Sequence, residues 1–304
     1  MSQDALSLSL ERARLFGALA VLAAGIVWSS GGLLVRATQN DTWSILIWRS
    51  LAAGAAIALV LAVQRRGRVW PAFRELGWLA PLGGLFVAVS MSSFVFALQR
   101  TTVFNTLMML SMAPLMAAAL GWLVLREPVR RTTWIAIAFA ILGVAVMVWD
   151  GLRTDGLTGN LMALLAALGF AGFTVLSRAS PRQVTTPCVV VGGLLGSAAA
   201  ALLALSEGAA LWIGWTDLWL CLAMGFAQIG FGFVLYTWGA QRLPAAEAAL
   251  LAMTEVVFGP IWVWLVYAEL PSEHAMVGGL ILLGAVAYQA VSGLRRQRPP
   301  VGLV

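Results

Sequence analysis

The sequence predicts an all-α integral membrane protein of ten transmembrane helices. They form two inverted five-helix repeats, with both termini cytoplasmic. Three observations lead there: long apolar runs with short breaks, arginines gathered on alternate breaks, and a self-similarity at one constant offset.

Of 304 residues, 61% are hydrophobic and 11% charged, too few charges to clothe a soluble domain of this size. Mean hydropathy is +0.90. A helix needs roughly 20 apolar residues to cross the ~30 Å hydrocarbon layer. Runs of that length occupy Leu15–Val35, Trp43–Val63, Leu76–Leu98, Val103–Leu125, Thr132–Trp149, Gly159–Leu176, Cys188–Leu205, Leu218–Trp238, Pro244–Val266 and Met276–Leu294. The seventh has the weakest signal, diluted by Gly192, Gly193, Gly196 and an alanine run. Breaks such as Gln64-Arg65-Arg66-Gly67-Arg68, Arg126-Glu127-Pro128 and Glu269-Leu270-Pro271 carry charge and turn signals. A β-barrel would instead show alternating segments of about ten residues. The polar segment Met1 to Arg14 leads into an apolar run too long for a signal peptide, so that run is read as a retained helix.

All 19 basic residues are arginines. With the N-terminus inside, fifteen fall on the cytoplasmic side, among them Arg12, Arg14, Arg65, Arg126, Arg178 and Arg242. Arg36, Arg100 and Arg153 lie outside, and Arg49 lies within a span. This bias orients the chain. Trp43, Trp78, Trp134, Trp149, Trp219 and Trp264 fall near span ends, where an amphipathic ring suits the interface. The net charge of +6 sits in short breaks without interleaved aromatics, which excludes a nucleic-acid groove. Cys188 and Cys221 are expected to be small packing residues without a disulfide.

Gly17–Ala37 and Gly159–Ala179 are identical at seven of 21 positions, at an offset of 142. The same offset pairs Gln99-Arg100 with Gln241-Arg242, Trp122-Leu123-Val124 with Trp264-Leu265-Val266, and Glu127 with Glu269. The repeats are residues 1–156 and 157–304 of one membrane domain. Five spans per repeat is an odd number, so the second enters the membrane from the opposite side. Inverted repeats are the architecture of secondary transporters.

Ala113-Pro114-Leu115 through Arg126-Glu127, and Glu255-Val256 through Ala268-Glu269, resemble the paired signature of the EamA-type drug/metabolite transporter superfamily. Trp28-Ser29-Ser30 and Arg49-Ser50-Leu51-Ala52-Ala53 resemble its tryptophan and second-helix arginine motifs. The resemblance covers essentially the whole chain and is nearest to the YddG-type bacterial exporters of aromatic amino acids. It implies an inner-membrane exporter working by alternating access. Val256 stands where many members carry proline, with Pro260 following later, so the helix break is expected elsewhere than in those members.

Glu255 lies 11 residues from each end of the ninth span, about 16 Å deep at helical rise. A charged carboxylate there costs roughly 2.5–3.5 kcal/mol, so it must be protonated, paired or solvated by a cavity. It either binds a substrate amine or coupling proton, or joins helices structurally. Arg49, about 9 Å inside the second span, either meets a substrate carboxylate or Glu255, or snorkels outward. Glu127 and Glu269 at helix ends are capping groups or gate salt bridges, with structural use favoured.

Three helix faces could line a cavity: Gln228, Gly232, Leu235 and Tyr236; Ser90, Ser93, Phe94 and Ala97; and Asn105, Met108, Met109, Met112 and Met116. Such stripes are more often packing. Trp28 and Trp262 could stack on an aromatic substrate or pack the core. His274, the only histidine, belongs to a solvated outer loop.

No His-Glu-x-x-His, paired-aspartate, Gly-x-Ser-x-Gly or P-loop pattern is present, so neither an enzyme nor an ATPase is expected. The reading is a secondary exporter of aromatic or other hydrophobic amino acids. Its partners are the small-molecule substrate and the bilayer, with protons a candidate coupling ion and no cofactor or metal. An exporter of cationic drugs or nucleoside-like metabolites, and a facilitative channel-like protein, are the alternatives.

Overall fold

The computed structural model describes residues 3–39, 41–153, 156–180, 185–243 and 245–297. Arg182 and Arg298, counted among the fifteen cytoplasmic arginines, and Pro244, the expected start of the ninth span, lie outside them. The described residues contain ten helical stretches long and apolar enough to cross a membrane. In chain order the elements are α1 (Gln3–Ala37), α2 (Thr42–Gln64), α3 (Trp70–Leu76), α4 (Leu79–Arg100), α5 (Val103–Leu110), α6 (Ala113–Leu125), α7 (Arg131–Arg153), α8 (Leu157–Ala179), α9 (Thr185–Ser206), α10 (Trp215–Ala223), a π-helical segment (Met224–Phe231), α11 (Gly232–Ala240), α12 (Ala245–Ala252), α13 (Thr254–Tyr267) and α14 (Glu273–Gln297).

Local chemistry sets several of these ends. Asp41 caps α2, its Oδ1 accepting from Trp43 N at 2.9 Å and Ser44 N at 3.1 Å. Thr102 caps α5 by accepting from Asn105 N. The short α3, begun by Trp70-Pro71, lies in the arginine-rich break ahead of the third span.

The fourth and ninth spans are each two helices, broken at Ser111-Met112 and at Met253. Ser111 and Met253 are 142 residues apart. Pro114 opens α6, as a residue without an N–H can. No proline opens α13, and Pro260 lies inside it. The second break thus comes at the position equivalent to the first, seven residues ahead of Pro260 rather than at it. Both spans end alike too. Arg126 (φ 56°) and Ala268 (φ 53°) adopt the left-handed conformation and turn the chain back after α6 and α13. That costs a non-glycine residue roughly 1–2 kcal/mol.

The halves interlock. α2 lies on α9, α4 on α8 and α9, α7 on α14, and α1 against α11 and α13. Close approach comes from small residues, as expected where no water drives helices together. A Cβ on Gly193 of α9 would stand 2.7 Å from Gly54 Cα and Ser50 O of α2. A Cβ on Gly192 would stand 2.6 Å from Val87 of α4. The glycines that weakened the seventh span's signal are thus its packing face. The main core gathers Leu46, Val95, Leu98, Leu107, Met109 and Leu115. Exposed leucines, valines and tryptophans, including Trp78, Trp149 and Trp219, cover the outside, as a lipid-facing surface requires.

Candidate functional site

Four elements, α1, the π-helical segment, α11 and α13, bring polar and aromatic groups together inside the bundle. The α12–α13 break makes a helix N-terminus inside the ninth span, and Glu255 stands in the first turn of α13. Backbone N–H groups are free at such a start. Gly25 of α1 lets this turn approach: a Cβ there would lie 2.1 Å from Thr254 Oγ1 and 3.4 Å from Glu255 N.

Trp28 follows one turn further along α1. Its ring lies 5.3 Å from that of Tyr236 on α11, tilted by 40°. Gly232 makes the space, since a Cβ there would fall 2.3 Å from Trp28 Nε1. Gln228, in the π-helical segment, donates from Nε2 to Trp28 O at 3.0 Å while its buried Oε1 has no partner. Trp262 donates from Nε1 to Ser29 Oγ at 2.8 Å and stacks on Phe258. Trp28, Gln228, Tyr236, Glu255 and Trp262 thus line neighbouring stretches of α1, the π-helical segment, α11 and α13.

Arg49 is only 4% exposed, which decides against snorkelling. Its Cζ sits 5.7 Å from the centre of the Phe94 ring, and its buried Nε and Nη1 have no hydrogen-bond partner. Glu255 is within electrostatic reach of Arg49, yet no salt bridge joins them among the described residues. Burying a guanidinium with unmet donors costs several kcal/mol, so this arrangement suits an anion arriving from elsewhere.

The other predicted residues divide. Asn105 joins a network away from this cluster, donating from Nδ2 to Thr101 Oγ1 (3.2 Å) and Asn160 Oδ1 (3.3 Å). Met108 and Met112 belong to the main core, and Met108 packs near Gly279 of α14. Ser93 is buried on α4 one residue before Phe94. His274 is exposed, 3.9 Å from Asp150.

Glu127 and Glu269 form ion pairs with arginines that the sequence shows only as part of the charge pattern. Arg178 Nη1 donates to Glu127 Oε2 at 3.0 Å. Arg36 Nε and Glu269 Oε2 stand 2.9 Å apart, a charge contact whose N–H is not aimed at the oxygen. Glu269 Oε1 also accepts from Val103 N at 2.6 Å. Ser29, the acceptor for Trp262, is a further site residue, and hydropathy carries no signal for such a pairing.

Ten apolar spans around a polar, aromatic mid-span cluster define a multi-pass membrane protein of transporter type. The model of the EamA-like transporter family matches residues 15–149 and again residues 157–289, and the chain belongs to that family. It is 26% identical over 289 residues to the uncharacterized transporter YwfM of Bacillus subtilis, covering 90% of this chain and 93% of that protein. An uncharacterized transporter of Archaeoglobus fulgidus is 25% identical over 272 residues, covering 89% and 95%. A solved crystal structure superposes with TM-score 0.62 at 19% identity, over 94% of this chain and 99% of that one, a likeness of fold.

Proposed function

We propose that this transporter exports zwitterionic metabolites with apolar side chains, aromatic amino acids foremost, by alternating access between two inverted halves. The observation that carries the reading is Arg49: a guanidinium buried within the second span with two unmet donors. A substrate carboxylate would meet those donors with charge-assisted hydrogen bonds. Glu255 supplies an opposite charge for an amine or a coupling proton. Trp28, Tyr236 and Trp262 supply flat apolar surface beside it. The match of one family model to both halves supports the repeat, and the arginine bias supports cytoplasmic termini.

Counterflow in proteoliposomes tests the substrate class with three labelled compounds: an aromatic amino acid, its decarboxylated amine and its deaminated acid. The wild type should exchange the amino acid best. Arg49→Gln should lose the amino acid and the acid while sparing the amine. Exchange of the amine alone by the wild type would overturn the zwitterion in favour of cationic substrates.

A further inference from the structure

We propose that Arg36–Glu269 and Arg178–Glu127 are a matched pair of latches, one at each end of the bundle, which must open in turn for substrate to pass. The inference rests on the transport reading and adds to it the moving contacts.

Four features point there. Arg36 and Arg178 are 142 residues apart, and so are Glu127 and Glu269. Each bridge takes its arginine from one half and its glutamate from the other. The bridges therefore tie the halves across the path between them rather than stiffen either half. Each arginine ends the first span of its half, in the last turns of α1 and α8. Each glutamate directly follows the left-handed residue that closes a broken span, Arg126 or Ala268. Strained backbone recurring at matching places is a reason to look for function.

Their positions follow from direction. Successive spans run oppositely, so the end of the first span and the end of the ninth share one face. The end of the fourth and the end of the sixth share the other. One bridge therefore closes each end.

Both bridges are made here, which is the arrangement expected between two one-sided openings. They are not equally held. The Arg36 and Glu269 side chains are 26% and 21% exposed, against 43% and 42% for Arg178 and Glu127. Arg36 also donates to Thr101 O at 2.8 Å, and Glu269 holds the Val103 amide at the start of α5. Arg178 donates to Ala117 O at 2.9 Å, but Glu127 and Arg178 border an open cavity with Arg130, Thr133 and Gln289. The Arg178–Glu127 end is therefore the one that opens more readily.

The test needs no substrate. In a Cys188→Ala/Cys221→Ala background, Leu110→Cys at the partly buried end of α5 reports access to the break between α5 and α6, with Thr254→Cys as a second reporter at the other break. A membrane-impermeant thiol reagent is applied from each side, using spheroplasts and inverted vesicles. Glu127→Gln should speed labelling from the Arg178 side about three- to fivefold, and Glu269→Gln from the Arg36 side, as a population shift on losing one partly shielded ion pair. Unchanged labelling at both reporters in both variants, with melting temperature preserved, would overturn the latches. A disulfide across Arg36→Cys/Glu269→Cys should stop exchange reversibly, while full exchange with the disulfide formed would equally overturn them. A parent protein that exchanges none of the tested compounds but shows the labelling shifts would overturn the substrate reading and leave the latches standing.

Discussion

At the scale of single residues, two charges lie within spans: Arg49 against the Phe94 ring and Glu255 in the first turn of α13. Hydropathy shows a charge inside an apolar run because insertion makes it costly. It cannot show that Arg49 is sealed against Phe94 with unmet donors while Glu255 stands at a helix start without a salt bridge to it. The methionine stripe illustrates the same limit. Met108 and Met112 have helical spacing suited to a cavity wall, and the neighbouring helices close over them. Glu255→Gln keeps shape and most hydrogen bonding while removing the charge. Transport should fall about tenfold or more, a loss of about 1.4 kcal/mol in activation free energy, with melting temperature nearly unchanged. Joint loss of stability and activity would mark Glu255 as a structural group instead. If protons are coupled, a pH gradient drives accumulation by the wild type and not by the variant.

At the scale of elements, span existence was legible and span interiors were not. A continuous apolar run reads the same whether the helix is whole, broken or π-helical. The breaks at Ser111-Met112 and Met253 therefore had only Pro114 to announce them, and Met224–Phe231 had nothing. A π segment carries one residue more per turn, which changes the register between Gln228 and Tyr236 from that of a straight helix. The α2–α9 contact yields a sharp expectation. Gly193 faces backbone atoms of Ser50 and Gly54 at distances no side chain tolerates. Gly193→Leu should cost about 1–3 kcal/mol or more by forcing the helices apart, read as a lower melting temperature in detergent. Gly208, with open space around its Cβ position but φ +68°, should lose with alanine only the roughly 1–2 kcal/mol of the left-handed backbone, less than Gly193→Leu. Equal losses at the two sites would refute this account of the packing.

At the scale of the whole molecule, the ten-span count follows from sequence physics alone, because the bilayer fixes the length of each element. Orientation rests on arginine placement, and reporter fusions decide it. A fusion after Arg68 should report the cytoplasm and one after Gly208 the opposite face; agreement between them would break the topology. How the halves meet was beyond reach of composition, since contacts between distant spans leave no local mark. Only the constant offset hinted at it, through the arginines and glutamates that turn out to be each other's partners.

That exchange of partners bears on the chain's own continuity. Each half carries an arginine and a glutamate whose mates lie in the other, and α1, α2 and α4 find their main neighbours in α8 to α13. What unites the molecule is surface meeting surface, as in a dimer of like subunits. The peptide link between α7 and α8 mainly keeps the pieces at high local concentration. Two separate polypeptides, residues 1–153 and 156–304, produced in the same cell should therefore find one another in the membrane and co-purify with transport restored. Either fragment expressed alone, with most of its inter-helix contacts unmet, should be degraded. Failure of the fragments to associate when both are stably inserted would show that the covalent connection itself is needed to assemble the fold.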